Sequence, residues 1–202
     1  MEQTSMFPAA NEISEQLQYE SGFYSSTESA AYLKKLKENI QWKQETLKIF
    51  GKEVKTPRLT AWYGDEGIAY KYSGKIFYAM AWTKELFEIK AKSEKFAGIK
   101  FNSVLLNYYR DGNDSMGWHS DDEPELGKNP VIASVNFGQE RRFDLRNKQN
   151  HQIKQHIYLQ NGSLLLMKGE LQHHWQHQVA KSKRAVNERI NLTFRLIKKG
   201  NE

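Results

Sequence analysis

Two stretches in the first half of the chain carry hydrophobic residues at the spacing of an amphipathic helix. The first helix is expected to begin near Ser25, because Ser25 and Glu28 have the spacing of a capping box. The second is expected over residues 83–96. The apolar stripes are Leu33, Leu36 and Ile40 in the first helix and Leu86, Ile89 and Phe96 in the second.

From Asn102 onward the pattern changes to short runs rich in β-forming residues, separated by turn residues. Such runs predict strands, here over residues 103–109, 131–137, 142–145, 152–159, 163–167 and 190–196. Helices followed by many antiparallel strands predict an α+β protein. Its core is expected to be a jelly roll, with the N-terminal helices packed on one sheet.

The 202 residues are enough for one domain. We expect residues 1–23 to be a loosely ordered lead-in and residues 24–202 to form a single domain. Helices and hairpins are expected over residues 24–100, and the jelly-roll core over residues 101–198. The N-terminus resembles no signal peptide and no segment approaches a membrane span, which favours a soluble intracellular protein, cytoplasmic in a bacterium or nuclear in a eukaryote.

The amino-acid composition indicates which partners and which metal ligands the protein can use. A formal net charge of +6 favours a polyanionic partner, and 25 aromatic residues could supply stacking surfaces for bases as well as a core. The chain has no cysteine, so a metal site must use histidine or carboxylate ligands.

His119 and Asp121 are the first candidate metal ligands, because residues two apart in an extended segment share a face. A second histidine would complete a set of two histidines and one carboxylate. That facial set leaves coordination positions open, as a non-haem Fe(II) oxygenase requires. We choose His177 as the third ligand, and the alternatives that remain open are His151, His156, His173 and His174.

A strictly alternating segment, residues 189–195, reads RINLTFR. One strand face would carry the apolar residues, and the other would carry a polar row with an arginine at each end. The two arginine Cα atoms would lie roughly 20 Å apart. Each side chain can reach about 6–7 Å towards the other, and a five-carbon diacid fits the gap that is left between the guanidinium groups. Asn107 and Tyr109 could add hydrogen bonds to it. The alternative is an edge strand whose polar face is exposed to solvent.

Together these residues resemble the AlkB dioxygenase family. The motifs that carry the resemblance are Asn107-x-Tyr109, Asp111-Gly112, His119-x-Asp121-Asp122-Glu123, His177 and Arg189-x-Asn191-x-Thr193-x-Arg195. Similarity extends upstream through residues 49–52, 57–58 and 63–65, and so covers about residues 24–198. The resemblance is nearest to the branch that repairs duplex DNA.

The resemblance implies a double-stranded β-helix core and iron bound by His119, Asp121 and His177. It implies that 2-oxoglutarate is held by six residues, namely Asn107, Tyr109, Arg189, Asn191, Thr193 and Arg195. Arg189 would pair with the distal carboxylate, and Arg195 would lie near the aspartate ligand. The implied requirements are Fe(II), 2-oxoglutarate and O₂, with ascorbate as the reductant in vitro.

The implied reaction is oxidative dealkylation of N-alkylated bases, of the 1-methyladenine and 3-methylcytosine type, in DNA. Because a base inside a duplex cannot reach a buried metal, the target would be flipped out. Phe50, with Gly51 beside it, resembles the family's wedge. Tyr72 would stack on the flipped base, and Tyr70 and Asp122 would contact its edge. The candidates for phosphate contact are Arg58, Arg141, Arg142, Arg146, Lys148, Lys181, Lys183 and Arg184.

The main alternative is an AlkB-type demethylase that acts on RNA or single strands. A nucleic-acid-binding module without a working metal centre and a dioxygenase of protein or lipid are further alternatives. The expected partner is alkylated DNA, duplex and also single-stranded, with RNA as a further candidate. No membrane partner is expected, and the protein is expected to be a monomer.

Overall fold

The computed structural model describes residues 13–49, 52–72 and 75–198, without the side chains of residues 47–49, 70–72 and 75–77. A short helical turn covers residues 13–16. The helices are α1 (Ser26–Asn39), α2 (Lys84–Ala97) and α3 (Leu171–His174), with a 3-10 turn at Pro124–Leu126. The strands are β1 (Leu17–Glu20), β2 (Thr46–Ile49), β3 (Lys52–Lys55), β4 (Leu59–Gly64), β5 (Ala69–Tyr72), β6 (Lys75–Tyr78), β7 (Met80–Ala81), β8 (Ser103–Tyr109), β9 (Met116–His119), β10 (Ile132–Gly138), β11 (Arg141–Asn147), β12 (Lys154–Leu159), β13 (Leu164–Met167), β14 (Trp175–Val179) and β15 (Arg189–Arg195).

Two sheets form the body of the fold, and this confirms the predicted α+β jelly roll. The larger sheet has the order β1-β13-β10-β15-β8-β4-β7, and the smaller has the order β12-β11-β14-β9. Two separate hairpins, β2-β3 and β5-β6, lie on either side of β4 in the chain. The paired strands are antiparallel except for β4 and β7. None of the helices in the described residues is long and apolar enough to cross a membrane.

Two hydrophobic clusters hold the layers together. Helices α1 and α2 cover one face of the larger sheet, where Leu36, Leu86 and Ile89 are at most 1% exposed, as the helical stripes predicted. The second cluster lies between the two sheets and includes Phe143 and Leu165. The space between the sheets is therefore closed by apolar packing except where polar side chains enter it.

Both predicted helices begin at side-chain caps. The Ser25 hydroxyl accepts a hydrogen bond from the Glu28 main-chain N–H, and the Glu28 carboxylate accepts one from the Ser25 N–H, so the capping box is complete. Thr83 caps α2 by accepting from the Leu86 N–H. Helix α2 ends at Gly98, whose left-handed conformation suits a residue without Cβ.

Residues 13–23, which the sequence placed in the lead-in, contain a helical turn and a paired strand. Strand β1 pairs with β13 at one edge of the larger sheet, and Ile13 is buried. Leu17 and Tyr19 pack against the cluster between the sheets, while Gln18 and Glu20 face outward. Two apolar residues in a segment of four do not distinguish a strand from a loop. The strand forms because it pairs with β13, which is far away in the sequence. Residues 1–12 lie outside the described residues.

Gly138 provides a test of the register between β10 and β15. Its φ is 93°, and a Cβ atom there would overlap the Glu188 carbonyl oxygen beside Arg189. We expect Gly138→Ala to lower the free energy of unfolding by about 2–4 kcal/mol, measured by urea denaturation. Gly117→Ala is the matched control, because a Cβ on that β9 residue would meet nothing within 4 Å. Equal stability of the two variants would contradict this account of the register.

Candidate metal and co-substrate site

His119, Asp121 and His177 converge at the edge of the smaller sheet. His119 on β9 and His177 on β14 are cross-strand partners, with ring centroids 4.2 Å apart. Asp121 follows β9 directly. One ligand atom from each of the three residues lies within 4.8 Å of the others. The structure therefore brings the three predicted ligands to a position where they can share one ion.

The surroundings of both imidazoles favour the form that can bind a metal ion. The His119 Nδ1 atom lies 2.8 Å from the Gly117 carbonyl oxygen, which can only accept, so Nδ1 carries the proton and Nε2 is left for the ion. Burial lowers the pKa of His177 to about 3, with a further contribution from His119. His177 is therefore neutral near pH 7, which is the form that binds a metal.

Asp121 is held as a carboxylate although it is only 3% exposed. Burial alone would raise its pKa, but the pKa is lowered below its usual value, chiefly by the charge of Arg195 and by the hydrogen bond that Arg195 donates. The Arg195 Nη2 group donates to Asp121 Oδ1 at 2.5 Å. The other carboxylate oxygen, Oδ2, lies 3.8 Å from His177 Nε2 and is free to bind the ion.

Strand β15 carries the predicted polar row into the space between the sheets. It lies between β10 and β8 in the larger sheet, and six of its seven residues are buried. The alternative of a wet edge strand is therefore wrong. The polar row and the metal ligands line one pocket, whose walls include Asn107, Tyr109, Met116, His119, Asp121, Phe143, His177, Arg189, Asn191, Thr193 and Arg195.

The two arginines of β15 have unused hydrogen-bond donors in this pocket. Arg189 is 1% exposed, and its Nη2 group donates to Asn136 Oδ1 at 2.5 Å. Its Nε and Nη1 groups have no partner among the described residues, and neither does Arg195 Nε. Buried donors without partners are costly, so a ligand with carboxylates at both ends fits these residues. The His₂Asp donor set fits Fe(II), and both groups implied by the sequence thus have residues suited to them.

Asn191 takes part in a network that fixes this row. Its amide donates to Ser134 Oγ at 2.8 Å and to Asn136 Oδ1 at 3.1 Å, and its Oδ1 accepts from the Thr193 hydroxyl. Asn191 therefore lies in the pocket wall with protein partners, and it acts on Arg189 through Asn136.

The sequence reasoning missed Ser134, Asn136 and Gln172. Ser134 and Asn136 are alternate polar residues within a predicted strand, a signal that could have placed them on the pocket face. Gln172 Oε1 accepts a hydrogen bond from the Asp121 main-chain N–H at 2.9 Å. This contact joins segments 51 residues apart, and no local pattern indicates it.

Asn107 and Tyr109 on β8 face the same pocket as Arg189, which is the cross-strand partner of Tyr109. Asn107 Oδ1 accepts from Arg58 Nε at 2.7 Å, and Arg58 also donates to the Ser115 carbonyl. Arg58, predicted at the substrate, is therefore bound to a residue of the co-substrate pocket wall.

The other residues predicted at the substrate are only partly described. Asp122 is exposed, and its carboxylate lies 2.9 Å from Lys148 Nζ. Tyr70 and Tyr72 lie on the β5-β6 hairpin, but their side chains fall outside the description. Phe50 and Gly51, which connect β2 and β3, lie outside the described residues. Their roles stay predictions.

The residues predicted to contact phosphates lie in different parts of the fold. Arg141 is 4% exposed and donates to main-chain carbonyls, so it cannot meet a phosphate. Neighbouring side chains alternate across a strand, and Arg142 and Arg146 accordingly lie on the outer face of the smaller sheet. Lys181, Lys183 and Arg184 are exposed in the segment after β14.

The alternative third ligands do not join the cluster. His151, His156, His173 and His174 are all exposed, and the metal-ligand group formed by described residues contains none of them. His173 and His174 approach Asn129 and Glu170 instead.

Comparison with known proteins agrees with the fold and with this site. The family model described as the 2OG-Fe(II) oxygenase superfamily matches residues 16–195. A solved structure entitled "The structure of OsALKBH1" has a TM-score of 0.61 and 16% sequence identity, over 89% of this chain and 97% of that chain. The likeness to that structure concerns the fold alone.

Two curated relatives are more similar in sequence. The rat alpha-ketoglutarate-dependent dioxygenase alkB homolog 3 is 40% identical over 87% of this chain and 62% of its own length. The mouse DNA oxidative demethylase ALKBH2 is 35% identical over 86% of this chain and 77% of its own length. The chain belongs to the 2OG-Fe(II) oxygenase superfamily and, within it, to the AlkB family. The chain spans less than two thirds of the length of the alkB homolog 3 relatives. These two identities are close, so the branch within the family stays a prediction.

The metal site gives a direct prediction. His119→Ala removes one of three ligands, so we expect it to weaken binding of Mn(II), used as an oxygen-stable substitute for Fe(II), by at least about tenfold. His156→Ala is the matched control, because His156 is exposed and is not one of the clustered ligands. Calorimetric titration under argon measures both, and a His119→Ala variant with the affinity of the unmodified chain would exclude His119 as a ligand.

Proposed function

We propose that this protein oxidatively removes alkyl groups from N-alkylated bases in nucleic acid, with Fe(II), 2-oxoglutarate and O₂ as requirements. The observation that carries the proposal is the pocket itself. Its walls include three ligands for one ion and an arginine with two buried donors that have no partner among the described residues. A protein that only binds nucleic acid has no use for either feature.

The iron, when bound with 2-oxoglutarate and O₂, supplies the oxidation of the alkyl carbon, coupled to decarboxylation of the diacid. The chain's residues supply position and charge. Arg189, a buried residue of the pocket wall, offers a planar pair of donors for the distal carboxylate. Arg195 keeps Asp121 ionised and oriented, and the Gln172 side chain fixes the Asp121 main chain. The apolar walls, including Phe143 and Met116, exclude water.

Three facts support nucleic acid as the substrate. One group of relatives is named DNA oxidative demethylase. The chain carries a net charge of +6, and Lys181, Lys183 and Arg184 are exposed. The hairpins β2-β3 and β5-β6 lie outside both main sheets, in the part of the chain where the sequence predicted contacts with the base. We further propose that the protein acts as a monomer on DNA, with duplex and single strands both accepted.

The test of this function uses the full chain with Fe(II), ascorbate, 2-oxoglutarate and oligonucleotides that contain 1-methyladenine or 3-methylcytosine. We expect the methylated strand to lose one methyl group in step with succinate formation, as measured by mass spectrometry. Asp121→Asn should abolish both signals, because a neutral amide is a poor ligand for iron. Succinate formation without demethylation of any methylated DNA or RNA would support an oxygenase activity but exclude nucleobases as its substrate.

Arg189→Lys tests the co-substrate role. A lysine keeps the charge but loses the planar fork, so we expect the KM for 2-oxoglutarate to rise by about tenfold or more. Arg184→Lys is the control, because Arg184 is exposed and away from the pocket. The assay measures succinate at varied 2-oxoglutarate, and an unchanged KM in Arg189→Lys would remove Arg189 from the diacid site.

Phe50→Ala tests the preference between duplex and single strands. A wedge that fills the gap left by a flipped base matters only where the base is stacked and paired. We therefore expect a loss of about tenfold on methylated duplex and little loss on the same methylated strand alone. Equal losses on both substrates would reject the wedge.

A further inference from the structure

Arg141 is a buried arginine that the proposed reaction does not use. It begins β11 on the face that points between the sheets, and its main-chain partner across the strands is the buried Leu159. Its guanidinium donates to the main-chain carbonyls of Asp111 at 3.2 Å, Asp114 at 3.1 Å and Ala180 at 2.7 Å. One side chain thus joins the loop after β8 to the segment after β14.

The guanidinium of Arg141 also lies near Tyr109, a residue of the co-substrate pocket wall. Its central carbon is 5.7 Å from the centre of the Tyr109 ring, and that of Arg189 is 5.1 Å from the same ring. Tyr109 is 2% exposed and lines the pocket together with Arg189. Two buried cations therefore face one tyrosine at the end of the pocket where the distal carboxylate is expected.

Neither of these cations forms an ion pair with a carboxylate in the described part of the chain. The charges of Asp114 and Asp111 act on Arg141 from a distance, but the Asp114 carboxylate is bound by Arg110 at 2.7 Å. Burial, followed by the charge of Arg141, lowers the pKa of Arg189 to about 10 although Tyr109 opposes the change. Two unpaired buried charges of one sign are unfavourable, and an anion between the sheets would relieve them.

We propose that Arg141 is a positioning residue for the dicarboxylate, which it stabilises without contact, by holding Tyr109 in place and by adding a second positive charge behind Arg189. The proposal rests on the assignment of this pocket to 2-oxoglutarate. Arginine suits the role because its rigid fork can satisfy three carbonyls at once and remain charged when buried. A methionine would fill a similar volume but lose both the charge and the three bonds.

The test measures binding rather than turnover. The full chain is loaded with Mn(II) under argon and titrated with 2-oxoglutarate by calorimetry. We expect Arg141→Met to raise the Kd for 2-oxoglutarate about tenfold and Arg141→Lys, which keeps the charge, to raise it less. The matched control is Arg142→Met, because Arg142 is the next residue of the same strand, is exposed and pairs with Asp144 on the outer face.

A second ligand distinguishes a specific effect of Arg141 on the distal carboxylate from misfolding of the pocket. 2-Oxobutyrate has the same metal-binding end as 2-oxoglutarate but no distal carboxylate, so we expect Arg141→Met to leave its affinity and the Mn(II) affinity unchanged. Unchanged 2-oxoglutarate binding in Arg141→Met would overturn the proposal. Equal losses for both ligands and for Mn(II) would also overturn it, since they indicate a misfolded pocket. If Arg141→Met does not fold, unchanged binding in Arg141→Lys and in Arg141→Gln would overturn it. Failure of the unmodified chain to bind 2-oxoglutarate would instead reject the proposed function.

Discussion

The site depends on the burial of a charged row on a central strand. Strand β15 lies in the middle of the larger sheet, with Ile190, Leu192 and Phe194 packed under the helices. The same alternation sends Arg189 and Arg195 to the other face, into a space closed by apolar residues. Arg195 is compensated by Asp121, whereas the Arg189 guanidinium, among the described residues, has the Tyr109 ring and the Asn136 amide oxygen beside it but no carboxylate. A buried guanidinium in that state is expensive, and a bound carboxylate is the natural compensation.

The metal ligands and the diacid pocket are linked through the same ion pair. Arg195 belongs to the larger sheet and Asp121 follows a strand of the smaller sheet, so their contact joins the two layers at the ligand cluster. The pairing of β9 with β14 then sets the distance between the two imidazoles. The main-chain pairing of β9 and β14 thus positions the two histidines, and the Gln172 and Arg195 side chains position Asp121. The three ligands need little reorganisation to receive an ion.

Much of this arrangement could be predicted from the sequence because its signals are local. The capping box at Ser25 and the alternation in β15 each lie within one element. His119 and Asp121 lie within one short segment as well. The choice of His177 over four other histidines depended on family resemblance, since spacing alone does not select it. The strand over 17–20, the contact between Gln172 and Asp121 and the burial of Arg141 could not be predicted, because each depends on strands brought together by the fold.

One ion and one diacid should share this pocket, and an anaerobic crystal structure of the full chain with Mn(II) and 2-oxoglutarate would show whether they do. We expect the ion to be bound by His119, Asp121 and His177, and the carboxylate far from the ion to meet the Nε and Nη1 groups of Arg189, which have no partner among the described residues. An ion bound elsewhere, or a diacid that leaves the Arg189 guanidinium without an anionic partner, would contradict this expectation.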